Sequence, residues 1–456
     1  MQATPRTVML RWMSSEQPSK AVLVGVQLPG VTDEEHASSL AELARLAKTL
    51  GLSVVGRISQ KRQALAAAAV VGEGKLKELA RLTGGSGVVP SGVPAHRVRT
   101  DDAEDEDPDD ATEIAAPAGI VLVDHDLSPS QARNLERATG AEVLDRTAVI
   151  LAIFQRHARS REARLQVEIA RLAYLTPRLR EGGAGKDRQG GGIGSKGAGE
   201  SQLEIDRRKV RDRIAELRRE LQAIEKDAAT RRRRRSTQPT VAIVGYTNAG
   251  KSSLMRALTG SDLLVADQLF ATLDTTVRAL QPETKPRILV SDTVGFIKKL
   301  PHDLVASFRS TLDEAREAAL LLHVADAADP AFPAQIAVTE QVLAEIDAAG
   351  ASRLLVLNKV DKLDDARRAD LQAAYPEAVL MSAKSAADVA RLRAHIVEVF
   401  EREMIEDELL VPYAQQRVIS EIHTSCRVLT EAYDETGTRL RVRGPREVVA
   451  RLRAAL

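Results

Sequence analysis

The sequence predicts a multidomain α/β protein of four units. Three observations carry that reading. Strand-like and helix-like patterns alternate over residues 20–150. Residues 158–235 hold two helical stretches around a glycine-rich break. From 239 a buried-strand pattern runs into a glycine-rich turn and a helix, with further strand patterns near 288 and 354. Strands alternating with helices build mainly parallel sheets. The expected units are an N-terminal α/β domain (1–157), an antiparallel helical hairpin (158–235), an α/β domain with a mainly parallel sheet (236–402) and a small C-terminal α/β domain (403–456).

Each N-terminal element has its own local signal. "AVLVGVQL" (21–28) reads as a strand, and "ASSLAELARLAKTLG" (37–51) as a helix stopped by Gly51. "LSVVGRIS" (52–59) is the next strand, and "GEGKLKELARL" (72–82) is a turn and helix. Gly72 and Gly74 there read as a tight turn before the helix, with a phosphate site as the weaker alternative. "AGIVLVDHD" (118–126) is a third strand, and Ser128-Pro129-Ser130-Gln131 is a capping box with proline at the first helical position. The almost wholly acidic stretch at 100–113 is expected to be a disordered surface insertion, either a solvated loop or a local repeller of nucleic acid.

In the hairpin, Leu203, Val210, Ile214, Leu217, Leu221 and Ile224 form one narrow apolar stripe on the second helix. That helix carries thirteen Arg or Lys against seven Asp or Glu between 201 and 235, ending in five arginines. By charge alone it is a solvated face with a basic linker or a nucleic-acid surface. Between the helices, nine of the twenty-three residues at 178–200 are glycine.

Composition narrows the class. The 456 residues allow about three domains of the usual size, roughly 100–200 residues. With 44% hydrophobic residues the cores can form, and with 3% aromatics they must be aliphatic. The net charge of +1 says nothing by itself, so its distribution matters more. The single cysteine, Cys426, excludes a disulfide framework and suits a reducing compartment. It reads as a packed residue on a helical stretch. The histidines form no zinc-type cluster. The start lacks a signal-peptide pattern, and the longest apolar run, near 318–324, is far short of the roughly 20 residues of a membrane helix. A cytoplasmic protein without a membrane span is expected.

The chemistry is fixed from 239 onward. "PTVAIVGYTNAGKSSLMRALTG" places G-x-x-x-x-G-K-S between a strand and a helix, the context that makes it a phosphate-binding loop. Its residues Gly245, Tyr246, Thr247, Asn248, Ala249, Gly250, Lys251, Ser252 and Ser253 are candidate nucleotide contacts. Backbone N–H groups and the helix N-terminus face the phosphates, Lys251 reaches the β- and γ-phosphates, and Ser252 offers a hydroxyl to Mg²⁺. "LLVLNKVD" then selects the base. Asp361 accepts from guanine N1–H and its amine, a pairing adenine cannot make, while Lys359 packs along the base and Asn358 ties the two loops together. Ser382, Ala383 and Lys384 follow, with the Ala383 amide aimed at guanine O6. The ligands are therefore GTP and GDP.

Two segments read as switches. Asp292, Thr293, Val294 and Gly295 end a strand, with Asp292 holding Mg²⁺ through water and the Gly295 amide sensing the γ-phosphate. Phe270, Ala271 and Thr272 begin the other. Thr272 is the favoured Mg²⁺ contact, with Thr275 and Thr276 as rivals. Lys251, Thr272 and Gly295 are thus the candidate catalytic residues, and Ser252, Thr272 and Asp292 the candidate metal ligands. Phe296 stands where Ras-like GTPases carry a water-orienting glutamine, so slow intrinsic hydrolysis is expected, completed by a partner or an ion. Asn248 matches the asparagine of K⁺-activated GTPases of the MnmE type, which makes K⁺ a candidate activator.

The chain resembles the HflX-type translational GTPases over nearly its full length. The resemblance rests on "VVGEGKLKEL", "DHDLSPSQARNLE", "VLDRTAVILAIF", "REARLQVEIARLAYLTPRL", "RQGGGIGSKGAGESQLEIDRR", "GYTNAGKSSLMRALTG", "ATLDTT", "DTVGFI" and "NKVD". The acidic insertion and the "LDTTVR" segment, which lacks a proline common after the aspartate, depart from the pattern. The resemblance implies a factor that binds the large ribosomal subunit and its rRNA; a monomer is the default expectation. It implies that the glycine-rich tip, 182–199, points to the peptidyl transferase centre and that stalled or idle 70S ribosomes are split under stress. Arg178, Arg180, Lys186, Arg188 and Lys196 would then meet RNA. It also implies a C-terminal unit, read as strand, helix, turn, strand, helix, that docks on a ribosomal protein. The competing expectations are a GTP-regulated large-subunit assembly or hibernation factor and an ATP-driven RNA remodeller working through the N-terminal domain.

Overall fold

The computed structural model describes residues 19–89, 117–179, 202–235, 238–260, 269–270, 273, 276–298, 309–348 and 350–456. The acidic insertion, the hairpin tip, Arg180, Lys186, Arg188, Lys196, Ala271, Thr272 and Thr275 lie outside them. The chain divides into two compact units, Met1–Arg156 and His157–Leu456.

The first unit holds β1 (Lys20–Gln27), α1 (Asp33–Thr49), β2 (Ser53–Lys61), α2 (Glu73–Thr83), β3 (Ile120–Val123), α3 (Pro129–Thr139), β4 (Glu142–Asp145) and most of α4 (Arg146–His157). Its sheet, β2-β1-β3-β4, is parallel throughout. Val22, Val24, Val121 and Val123 pack from it against Leu79 of α2 and Leu135 of α3. The box at Ser128 forms, with Ser128 Oγ accepting from Gln131 N at 3.2 Å. Thr32 and Glu35 make a second box at the start of α1. Gly72 caps α2 and donates its amide to Gln60 Oε1 at 2.8 Å, so a side chain of the fold already fills that turn.

The third strand ends at Val123, and Asp124, whose N still donates to Val24 O at 2.9 Å, turns its carboxylate into a buried charge cluster. Ser39 Oγ donates to Asp124 Oδ2 at 2.5 Å, and Arg146 Nη1 donates to Asp124 Oδ1 at 2.7 Å. Arg146 also pairs with Glu42, and all three charged residues are buried.

The second unit begins with α5 (Arg161–Leu175), a 3₁₀ turn at Thr176–Arg178 and α6 (Gln202–Arg235). Pro177 explains why the first helix tightens into that turn. Leu165 and Ile169 of α5 pack on Leu217 and Leu221 of α6. Arg161 pairs with Glu220 and Glu168 with Arg213, so numbers rise on one helix as they fall on the other, as antiparallel packing requires.

Next come β5 (Thr240–Gly245), α7 (Lys251–Thr259), β6 (Thr276–Ala279), β7 (Leu289–Asp292), α8 (Arg309–Arg316), β8 (Leu320–Asp326), α9 (Phe332–Glu345), β9 (Ser352–Asn358), α10 (Asp365–Ala374), β10 (Val379–Leu380) and α11 (Ala386–Arg402). The sheet order is β10-β9-β8-β5-β7-β6, with only β6 antiparallel to its neighbour. Val241, Ile243, Leu322 and Val324 bury one face under α7 and α11, while Ala242, Val244 and Leu321 bury the other under α8 and α9.

The chain ends with β11 (Met404–Pro412), α12 (Arg417–Ser425), β12 (Arg427–Tyr433), β13 (Gly437–Pro445) and α13 (Arg446–Ala454), its sheet ordered β11-β13-β12 and antiparallel. This corrects the sequence reading by one strand. The segment after Ser425 is not helical: Cys426 is extended, one residue beyond α12, and β12 follows. Nearly every β12 residue is exposed, so no two-residue alternation marked it.

Two outcomes are expected. Arg146→Leu strands two buried carboxylates and lowers the stability of the first unit by about 3–5 kcal/mol, whereas Lys61→Ala, which breaks an exposed pair with Asp33, costs under about 1 kcal/mol; urea unfolding of both variants distinguishes them. Burial, assisted by Glu136, pushes the Glu142 carboxyl up from 4.5 to about 7. A raised folded-state pKa means a stability contribution present below pH 4.5 and lost as pH rises through about 7. Glu142→Gln is therefore neutral at the acid end and stabilising at pH above 7, read by thermal unfolding across that window.

Candidate nucleotide-binding site

The phosphate loop lies between β5 and α7, at the C-terminal edge of a parallel sheet, where open α/β sheets bind ligands. Gly250, at φ 95, sits in the left-handed region just before α7, and a Cβ there would lie 2.3 Å from Asn358 Nδ2. Lys251 is buried, and its Nζ donates to Tyr246 O at 2.7 Å. Burial pushes its pKa down to about 8 although Asp292 pulls it up. An ammonium held this way gains a partner when a phosphate oxygen arrives. Thr247 Oγ1 is buried without a hydrogen-bond partner among the described groups. These features fit a polyphosphate: curled amides, a desolvated cation and an unpaired hydroxyl.

Ser252 Oγ donates to Asp292 Oδ2 at 2.8 Å. A hydroxyl and a carboxylate side by side are the oxygen pair that Mg²⁺ takes when substrate phosphates and water complete its shell. Among the described residues no group of three or more His, Cys, Asp or Glu could hold a metal ion. Gly295 is close-packed, since a Cβ there would lie 2.8 Å from Thr247 Cγ2 and 2.9 Å from Lys251 Nζ. Thr293 and Val294 line the approach by backbone only; Thr293 Oγ1 donates into the core, to Ile243 O at 2.8 Å. Phe296 is 2% exposed, its N donating to Gly245 O at 3.1 Å and its O accepting from Thr247 N at 2.7 Å.

The residues predicted to read the base converge from the ends of β9 and β10. Asn358 Nδ2 donates to Ala249 O at 2.9 Å, and its Oδ1 accepts from Ala383 N at 3.0 Å. One amide thus ties the phosphate loop to the 382–384 turn. Lys359 Nζ donates to Asn248 O and to Asp326 Oδ2, both at 2.7 Å. The Ser382 hydroxyl donates to Asp361 Oδ1 at 2.6 Å and holds that carboxyl below its usual range. Lys384 Nζ lies 4.0 Å from Asp361 Oδ2. Ser253 is half-buried on the first turn of α7. Of the switch threonines, only Thr276 is described; it sits in β6 opposite Asp292.

Sequence reasoning missed three supporting residues. Asp326, at the end of β8, orients Lys359. Asp388 accepts from Ser382 N at 2.9 Å, and its signal was available in the capping pattern Ser385-x-x-Asp388. His157 Nδ1 donates to Phe270 O at 2.9 Å, linking the foot of the hairpin to the first switch. No local signal marks a pair 113 residues apart.

A mainly parallel sheet with a phosphate loop at its C-terminal edge, tied through Asn358 to the loop after β9, has the architecture of a P-loop GTPase, an enzyme that binds GTP and GDP and hydrolyses GTP. The comparisons agree. Residues 240–359 match the family described as 50S ribosome-binding GTPase, residues 157–235 the GTP-binding GTPase middle region, and residues 37–89 and 110–155 the GTP-binding GTPase N-terminal region. The GTPase HflX of Gluconacetobacter diazotrophicus is 58% identical over 96% of this chain and 97% of its own. Those of Escherichia coli and Caldanaerobacter subterraneus are 39% and 38% identical, each over 95% of this chain and 95% and 93% of their own. The chain belongs to the HflX family of GTPases. Among its described residues no helix is long and apolar enough to cross a membrane.

Gly250→Ala should lower GDP affinity at least about tenfold, or 1.4 kcal/mol, because the new Cβ collides with Asn358; isothermal titration of GDP into both proteins reads the loss.

Proposed function

We propose that this chain is a GTP-driven ribosome factor. It binds the large (50S) subunit through rRNA, splits stalled or idle 70S ribosomes under stress, and hydrolyses GTP to leave. One observation carries the reading: in a chain of this family, a guanine-nucleotide site is joined to a basic helical hairpin. The three units matched by their relatives' descriptions, the last as a 50S ribosome-binding GTPase, support the same reading. The protein acts as a cytoplasmic monomer.

Lys251 pairs with the β- and γ-phosphates and follows charge onto the leaving oxygen. The Gly295 amide donates to the γ-phosphate, and Thr272 closes the first switch over it. Ser252, Thr272 and Asp292 would hold Mg²⁺, which would neutralise charge on the phosphate oxygens. Asp361 and the Ala383 amide read the base. In this chain Ala383 N rests on Asn358 Oδ1, so guanine O6 competes for that amide. Asn248 sits at φ 61 with its carbonyl turned to Lys359, leaving its amide to help hold K⁺ as a supplementary cation. The buried Phe296 offers no hydrogen bond to water, so the ribosome supplies the group that orients it. The hairpin carries Arg178, Arg180, Lys186, Arg188 and Lys196 to RNA. Arg178 already stacks 3.6 Å over the Tyr174 ring, a posture suited to stacking on a splayed base.

Hydrolysis with and without purified 50S subunits tests the reading, with wild type set against a deletion of residues 182–199. Stimulation on the order of 100-fold or more, lost in the deletion, is the expected result. No stimulation in either protein would remove the ribosome from the proposal. Asp361→Asn separately should weaken GDP binding on the order of 100-fold, about 2.7 kcal/mol, leaving RNA binding by the hairpin intact.

A further inference from the structure

Tyr246 stands in the phosphate loop between Gly245 and Thr247, and it is buried. Its carbonyl accepts from Lys251 Nζ at 2.7 Å. Its phenol oxygen accepts from Lys298 N, also at 2.7 Å. One residue thus holds the ammonium through its backbone and the second switch through its side chain, across 52 positions of sequence. Phosphate binding by such a loop calls on backbone amides and not on a phenol at this place.

The bond to Lys298 completes a set of three. Phe296 N donates to Gly245 O at 3.1 Å, and Thr247 N donates to Phe296 O at 2.7 Å. Successive loop residues therefore grip the second switch, the outer two through backbone and the middle one through its phenol. Ile297, between the two gripped residues, is buried. Gly295 immediately precedes them, and a Cβ there would lie 2.9 Å from Lys251 Nζ. The glycine and the ammonium are thereby brought to one spot of the loop. Bonds at Phe296 alone would leave the chain a pivot there, and a bond two residues further on removes it.

We propose, resting on the assignment of the Gly295 amide to the γ-phosphate, that the Tyr246 phenol is a positioning residue for γ-phosphate recognition. By holding Lys298 it fixes where the Gly295 amide stands before the nucleotide arrives. Phenylalanine would fill the same space without the oxygen, and the Lys298 amide would lose its acceptor. An amide placed in advance does not have to be ordered by the ligand, which lowers the cost of binding. The gain falls on GTP, because GDP has no γ-phosphate to meet that amide. The phenol therefore acts on the difference between the two nucleotides rather than on the hold that the loop has on both.

The test uses the full chain, wild type and Tyr246→Phe, labelled with ¹⁵N in lysine or in glycine, with GDP and with the non-hydrolysable analogue GMPPNP. The Lys298 amide, identified by its absence in Lys298→Arg, should exchange with solvent at least about tenfold faster in Tyr246→Phe. The ratio of GMPPNP affinity to GDP affinity, read by calorimetry, should fall about fivefold, the worth of one hydrogen bond. Equal exchange in the two proteins would mean that the phenol holds nothing. An unchanged affinity ratio would make Tyr246 a structural residue of the loop, and either result overturns the inference. The Gly295 amide, identified by its absence in Gly295→Ala, should move with GMPPNP and not with GDP. If it moves equally with both, the assignment of that amide to the γ-phosphate fails, and the role of Tyr246 falls with it.

Discussion

The nucleotide site depends on one buried ammonium. Lys251 sits inside the phosphate loop with a backbone carbonyl as its neighbour, and water cannot reach it to share its charge. That placement is costly without an anion, and it dictates the rest. The loop must curl around the cation, so glycines stand where the chain turns left or passes close. Asp292 must stand near enough to support the charge without neutralising the site. The loops after β9 and β10 are fastened to the same structure through the two ends of one side-chain amide, that of Asn358. The phosphate loop and the 382–384 turn are thus tied by one side chain.

Much of this was legible in the sequence because the chemistry demands particular residues at fixed spacing. Only glycine suits the position of Gly250, where φ is positive and a Cβ would meet Asn358. The N-terminal helices were legible for a similar reason: Ser128 and Gln131 satisfy each other's backbone within four residues. Contacts made across the fold were not legible. Asp124 reads as the tail of a strand until Arg146 is seen beside it, and His157 gives no sign of Phe270. The extra strand Arg427–Tyr433 was hidden by its exposure: a strand with one edge unpaired and almost no buried face leaves no alternating pattern to read.

The two units use buried polarity differently. In Met1–Arg156 the charges close on each other, arginine against two carboxylates, and the cluster fixes the ends of β3 and β4. In the GTPase domain the buried polar groups are left facing a ligand. Lys251 and Thr247 wait on phosphate. A self-satisfied cluster specifies a fold; an open one specifies a guest.

Phe296 carries a mechanical consequence. Its backbone bridges the phosphate loop on both sides, and its ring is wedged among Val244, Leu312 and Ala315. The second switch is therefore clamped at its root rather than hinged there. Nucleotide exchange cannot swing the whole segment; it must bend the chain beyond the clamp or pry the ring from the core. The second course would drag α8 with it, since Leu312 and Ala315 belong to that helix. The ring then works as a ratchet pawl, silent under small displacements and releasing a helix only when the load passes a threshold.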